Sequence, residues 1–145
     1  MLIGGSDHSV DKKGRIFIPS RFKSDFGESV VVCACVFGKK CLWGFSEEGF
    51  ERFCDKLNKQ PYGKMQNMYR HLSDTAAFAY LDASGRILLP AELREFAGIT
   101  SDVHIVGMKN NIEIWSPENW SAEKETFSSV DYASIIDEIG FSFGE

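Results

Sequence analysis

Long apolar runs, catalytic signatures and metal-ligand spacings are all missing from this chain of 145 residues. The apolar stretch from Val30 to Phe37 ends after eight residues, whereas a membrane-spanning helix needs about 20, so no membrane partner is expected. The first residues, MLIGGSDH, have neither the basic start nor the apolar stretch of a signal peptide, and a cytoplasmic location follows by default. There is no GxSxG, no HExxH and no phosphate-cradling GxxxxGK(S/T), which leaves no recognisable catalytic apparatus, cofactor site or pocket for a small-molecule substrate. The three histidines, His8, His71 and His104, are scattered without metal-ligand spacing. They are expected at the surface or in packing, with His8 close enough to a repeated turn to be a candidate ligand contact. The four cysteines, Cys33, Cys35, Cys41 and Cys54, form no CxxC pair, so no metal site is expected and they read as buried reduced thiols. Cys33 and Cys35 are expected on one face of a strand and the valines on the other. A redox or metal role for Cys33, Cys35 and Cys41, and with it a cysteine-dependent enzyme, is the alternative. Glu47 and Glu48 stand together at a helix start, where they favour the helix dipole.

Positive charge is also scarce overall, since the formal net charge is −5, but it is not scarce everywhere. Residues 11 to 23 carry Lys12, Lys13, Arg15, Arg21 and Lys23 against Asp11 alone. Salt screens charges beyond about 8 to 10 Å, so this segment's own sign, not the net sign, decides what it attracts.

What the chain does have is a repeat. DKKGRIFIPSRFKSDFG from Asp11 to Gly27 recurs as DASGRILLPAELREFAG from Asp82 to Gly98, at a constant spacing of 71 residues. Asp, Gly, Arg, Ile, Pro and the final Gly are identical, and the intervening apolar positions stay apolar. FSEEGF from Phe45 matches WSPENW from Trp115 at a spacing of 70. Each unit of about 45 residues would be marginal alone, so two units are expected to share one core.

The pattern predicts the same series of elements in each copy. Ser9 to Ile18 reads as strand, turn, strand, with Asp11 accepting backbone N–H bonds and Gly14 supplying a positive φ. A short helix follows, with Pro19 or Pro90 in its first turn and Gly27 or Gly98 at its end. Its apolar face is Phe22 and Phe26, or Leu93, Phe96 and Ala97. Strands from Ser29 and Asp102 then join strands at Cys41–Phe45 and Asn111–Trp115 as hairpins. Ser46 and Ser116 are helix caps. Phe50, Phe53, Cys54 and Leu57, then after Pro61 Met65, Met68, Tyr69 and Leu72, keep helical spacing and are expected to pack in the core or between subunits. A last amphipathic helix begins at Tyr132, and the end, FSFGE, is expected to be loose. The class is α+β, mainly β.

The repeated DxxGR holds the candidate site. Asp11, Gly14, Asp82 and Gly85 are expected to build the turns. Arg15 and Arg86 are not needed for that, although pairing with a carboxylate is their purely structural reading. A guanidinium on a rigid bend can bind a phosphate, or the acceptor edge of guanine, through paired hydrogen bonds. Lys12 and Lys13 flank the first turn as phosphate contacts, and Arg21 and Lys23 are weaker candidates on the short helix. In the second copy Ala83 and Ser84 replace the lysines, and Glu92 and Glu95 offset Arg86 and Arg94. The first copy should therefore bind DNA more strongly. The reading fails if both arginines prove folded inward and locked to carboxylates.

Two DxxGR motifs, each running into an IP or LP helix start, together with FSEEGF, EIWSPENW and the helical stretch between, resemble the MraZ family of bacterial transcriptional regulators over nearly the whole chain. The resemblance implies two SpoVT/AbrB-like modules, residues 5–50 and 76–120, joined by a helical connector at 51–75 and followed by a C-terminal helix and tail at 121–145. It implies an AbrB-like swapped-hairpin (double-split) β barrel formed by the two tandem repeats as a pseudo-dimer. It also implies ring-shaped homo-oligomers, nucleoid-associated, that bind double-stranded DNA at short direct repeats in the promoter of the division and cell-wall gene cluster, including their own gene. Arg15 and Arg86 stand where that family contacts DNA. A reading from another class is a ring-forming scaffold protein without a specific DNA target.

Overall fold

The computed structural model describes residues 1–142 and 144; the loose end expected at 141–145 therefore falls in part on residues outside those described. In chain order the elements are β1 (Leu2–Ser9), β2 (Arg15–Phe17), α1 (Lys23–Phe26), β3 (Ser29–Ala34), β4 (Leu42–Phe45), α2 (Glu47–Asn58), α3 (Tyr62–Thr75), β5 (Ala77–Tyr80), β6 (Arg86–Leu88), α4 (Ala91–Ala97), β7 (Asp102–Lys109), β8 (Ile112–Trp115), α5 (Pro117–Glu125) and α6 (Tyr132–Ile139). The chain is α+β with antiparallel sheets. Among the described residues no helix is long and apolar enough to cross a membrane.

Six strands form one sheet in the order β1-β7-β8-β4-β3-β5. Its two ends are exchanged between the copies. β1 of the first pairs with β7 of the second, from Leu2↔Lys109 to Ser9↔Asp102, and β5 of the second pairs with β3 of the first. β4 and β8 meet at the centre. The remaining short strands, β2 and β6, pair with each other in the register Arg15↔Leu88, Ile16↔Ile87, Phe17↔Arg86. Just beyond them the Ile18 amide donates to the Gly85 carbonyl at 3.0 Å and the Leu89 amide to the Gly14 carbonyl at 2.9 Å. Backbone groups of either copy alone would lack these partners, and an unpaired buried backbone group is costly.

Strand alternation divides the apolar residues into two clusters. Ile16, Ile18, Val30, Val32, Ile87, Leu89, Val103, Ile105, Ile112 and Ile114 fill one, closed by Phe22, Phe26, Leu93 and Ala97 from the short helices. Val31, Cys33, Trp43, Phe45 and Trp115 face the other way, where Phe50, Phe53, Leu57 and Met68 of α2 and α3 cover them. Both copies contribute to the first cluster, as the marginal size of each unit requires. β3 is buried on both faces, which corrects one expectation: Val30 and Val32 oppose the cysteines, but Val31 lies on the Cys33 side.

Local signals set most boundaries. Ser46 and Ser116 cap α2 and α5, their hydroxyls accepting from the amides of Gly49 at 2.9 Å and Asn119 at 3.1 Å. Glu47 does more than favour the dipole: it accepts from the Ser29 hydroxyl at 2.8 Å and ties α2 to β3. Pro19 and Pro90 stand at the cap rather than inside the first turn. The first short helix is a 3-10 turn, Ser20–Phe22, followed by the single α turn α1, while the second is the continuous α4.

Candidate nucleic-acid interface

The two DxxGR segments fold into the same turn. At the first, Asp11 Oδ1 accepts from the amides of Lys13 and Arg15, both at 2.9 Å. At the second, Asp82 Oδ1 accepts from the amides of Ser84 and Arg86, again at 2.9 Å. Gly14 and Gly85 take φ of 87° and 85°, a region other residues enter only at a cost. They also leave room for a cation from the other copy. A Cβ on Gly14 would lie 2.9 Å from the Arg94 guanidinium, and one on Gly85 would run into the Lys23 ammonium. Arg94 and Lys23 are equivalent in the repeat, so each short helix lays a positive side chain over the other copy's turn.

The arginines are held by the aspartates that shape their turns. Arg15 Nε donates to Asp11 Oδ2 at 2.7 Å and Arg86 Nε to Asp82 Oδ2 at 3.0 Å. Arg86 Nη1 also lies 3.5 Å from Asp11 Oδ2, which brings the two turns into one ion cluster. The carboxylates are correspondingly easy to ionise. The backbone amide of Arg15, aided by its guanidinium and the Lys13 amide, holds Asp11 down to about 2, and the Arg86 amide lowers Asp82 in the same way. Pairing with carboxylates is what a purely structural role would show. Even so, the side chains of Arg15 and Arg86 remain 29% and 26% exposed. The hydrogen bond of each to its own aspartate uses only Nε of the five N–H donors a guanidinium carries. Each arginine's own aspartate thus orients it through Nε, and Arg86 Nη1 is the one Nη group among the described residues that also approaches a carboxylate.

Because β2 and β6 pair, these arginines share a face. Ile16 and Ile87 point into the core at 0% exposure, so Arg15 and Phe17 on one strand, and Arg86 and Leu88 on the other, point outward. Arg15 is opposite Leu88 and Phe17 opposite Arg86, and the Arg86 guanidinium lies 5.8 Å from the Phe17 ring centre. Phe17 is 49% and Leu88 52% exposed. The result is a two-stranded ribbon with two cations and two apolar side chains in pseudo-twofold arrangement. Lys12 and Lys13 are exposed on the first turn. Arg21 instead lies along β1, donating through Nε to the Ile3 carbonyl at 3.3 Å and stacking over Phe22 at 4.6 Å. His8 bonds the Ser6 hydroxyl at 2.8 Å.

Sequence reasoning passed over Arg94, Phe17 and Leu88. The first was legible as the repeat partner of Lys23, and the other two from the alternation in RIFIP and RILLP. The cysteines are poor chemical candidates. Burial pushes Cys33 up to about 12 and raises Cys41 and Cys54, so thiolate, the reactive form, is suppressed.

Comparison with known proteins finds relatives over nearly the whole chain. The chain matches the family model described as "MraZ protein, putative antitoxin-like" over residues 1–67 and 73–137. It is 37% identical over 145 residues to the protein named transcriptional regulator MraZ of Lachnoclostridium phytofermentans, covering 99% of this chain and 100% of that one. The protein of the same name in Caldicellulosiruptor bescii is 37% identical over 97% of this chain and 99% of its own length. That of Symbiobacterium thermophilum is 35% identical over 96% and 100%.

Proposed function

We propose, since this chain belongs to the MraZ family of transcriptional regulators, that it binds double-stranded DNA sequence-specifically at short direct repeats upstream of the division and cell-wall gene cluster, its own promoter included. The family is non-enzymatic, and the protein is a regulator rather than a catalyst. The observation that carries the DNA reading is the ribbon on which Arg15 and Arg86 share one outward face. The major groove, about 12 Å wide, admits a two-stranded β-ribbon. Nη groups of a guanidinium fixed through Nε can meet guanine O6 and N7, and Phe17 and Leu88 offer apolar contact for thymine methyl groups. Lys12, Lys13, Lys23 and Arg94 surround the ribbon as phosphate contacts, with Arg21 further along β1. Preorganisation by Asp11 and Asp82 lowers the ordering cost of binding.

The exchanged strands β1 and β5 and the β2–β6 ribbon support the swapped-hairpin barrel reading. One ribbon makes few contacts, so a homo-oligomeric ring presenting several to repeated DNA boxes would gain avidity. A cytoplasmic, nucleoid-associated site follows from that role. The test is Arg15→Ala combined with Arg86→Ala. At about 1–3 kcal/mol per bidentate base contact, operator affinity in a gel shift should fall at least about thirtyfold while circular dichroism and assembly stay unchanged. Undiminished affinity would overturn the assignment.

A further inference from the structure

Helix α6 is well capped and almost unpacked. Asp131 accepts from the Ser134 amide at 3.1 Å and hydroxyl at 2.7 Å, and Gly140 ends the helix in left-handed conformation, φ 68°. Every residue from Tyr132 to Ile139 is nevertheless exposed except half-buried Ile136, and neither apolar cluster includes any of them. A helix of eight residues without tertiary packing is marginal in water, because nucleation outweighs the few hydrogen bonds gained. Tyr132, Ile135, Ile136 and Ile139 stand at i, i+3, i+4 and i+7 and form one stripe. The helix thus presents an apolar face that, apart from half-buried Ile136, the described residues of its own chain leave exposed.

A surface of matching character lies elsewhere on the fold. A cleft of about 530 Å³ runs between α2 and the 108–111 hairpin, lined by Phe37, Trp43, Phe53 and Met108, with Arg52 and Lys56 on α2. Phe37 is 71% and Met108 50% exposed, and Phe37 meets Trp43 edge-on at 4.9 Å. Arg52 and Lys56, four apart, share a helix face, and among the described residues neither enters an ion pair. The cleft's one carboxylate is Glu113, which accepts from the Trp115 indole at 3.1 Å and is pushed toward its neutral form by burial. α6 and its cap carry Asp131, Asp137 and Glu138 and no cation. Asp131 and Glu138, seven apart, run along one edge of the stripe.

We propose that α6 of one copy seats in this cleft on a second copy, its stripe on the aromatic side chains and its acidic edge toward Arg52 and Lys56. Helix and cleft are different parts of the surface, so the joint is head-to-tail: each copy gives a helix and receives one, and such joints close into rings when the rotation permits. The inference rests on the oligomer reading above and specifies the contact that makes it.

Two variants of the full chain test it. Ile135→Asp with Ile139→Asp breaks the helix stripe, and Phe37→Asp with Met108→Asp breaks the cleft; all four residues are at least 48% exposed and none belongs to either apolar cluster. Light scattering after gel filtration should show the wild-type assembly, each variant alone at the mass of one chain, and an equimolar mixture at the mass of two chains, since one intact joint remains between them. A monomeric wild type, assembly unchanged in either variant, or a mixture that stays at one chain would each overturn the proposal, the last pointing to docking within a chain. The DNA reading fails separately: an intact assembly that does not shift operator DNA would sink that reading and leave this one standing.

Discussion

At both turns an aspartate side chain accepts two backbone amides at 2.9 Å, a glycine takes a φ near 86°, and an arginine Nε is tied back to the aspartate. Around that shared frame the copies differ. The first turn carries Lys12 and Lys13 where the second has Ala83 and Ser84. The outer sheet face of the first copy is covered by the twelve residues of α2, with Phe45 stacked on Phe50 at 5.5 Å and Phe53 at 5.6 Å. The second copy has the shorter α5, which buries none of its residues and contributes chiefly Trp120, stacked on His104 at 4.5 Å, while His104 pairs with the exposed Asp7 at 2.8 Å. The two copies therefore keep the frame of the turn and differ in the charge beside it and in the helix that covers the sheet.

That comparison can be broken at several places. The largest effect is expected where the copies are most alike. Ile16→Ala and Ile87→Ala, at directly paired and fully buried positions, should each cost about 2–5 kcal/mol in urea unfolding. Values several kcal/mol apart would mean that the core is not shared evenly. Next come the arginines singly: Arg15→Ala should weaken operator binding more than Arg86→Ala, both within about 1–3 kcal/mol, and equal losses in a gel shift would remove the ranking of the turns. Gly14→Ala and Gly85→Ala should each lower stability by roughly 1 kcal/mol or more, since both enforce a positive φ; an unchanged melting temperature in either would contradict the strain argument.

A smaller change is expected from charge exchange. Lys12→Ala with Lys13→Ala should reduce the salt slope of DNA binding by about 2, and Ala83→Lys with Ser84→Lys should raise it by a similar amount. A slope indifferent to all four would show that the lysines face solvent only. The smallest effect is on pH dependence. Asp11 is depressed from 3.8 to about 2, so the stability linked to it is complete above about pH 4 and is lost as pH falls through 2. A carboxyl NMR titration should place its midpoint near 2, and a midpoint at 3.8 would show that the turn's hydrogen bonds are not formed.

Much of this was legible in the residues. The 71-residue repeat, the aspartate and glycine of each turn, the serine caps and the break at Pro61 are local, and each acts through atoms a few positions away. Arg15 and Arg86 could be named as candidates because nothing in the turn demanded them. What could not be read were the contacts between copies: Arg94 over Gly14, Lys23 over Gly85, and Arg86 reaching Asp11. The asymmetry of the short helices was also hidden, because Pro19 and Pro90 look alike while only one is followed by a continuous α helix.

The sequence alone determined that there are two turns, how each is built and that each carries one guanidinium, since a turn is settled by φ preferences and hydrogen bonds within five residues. Only the tertiary structure decided that β2 pairs with β6, that β1 and β5 cross to the opposite copy, and that both guanidinium groups emerge on one ribbon face. Strand alternation marks which side chains must be buried but not which strand will lie beside them. Partner choice waits for the two half-cores to close over one another.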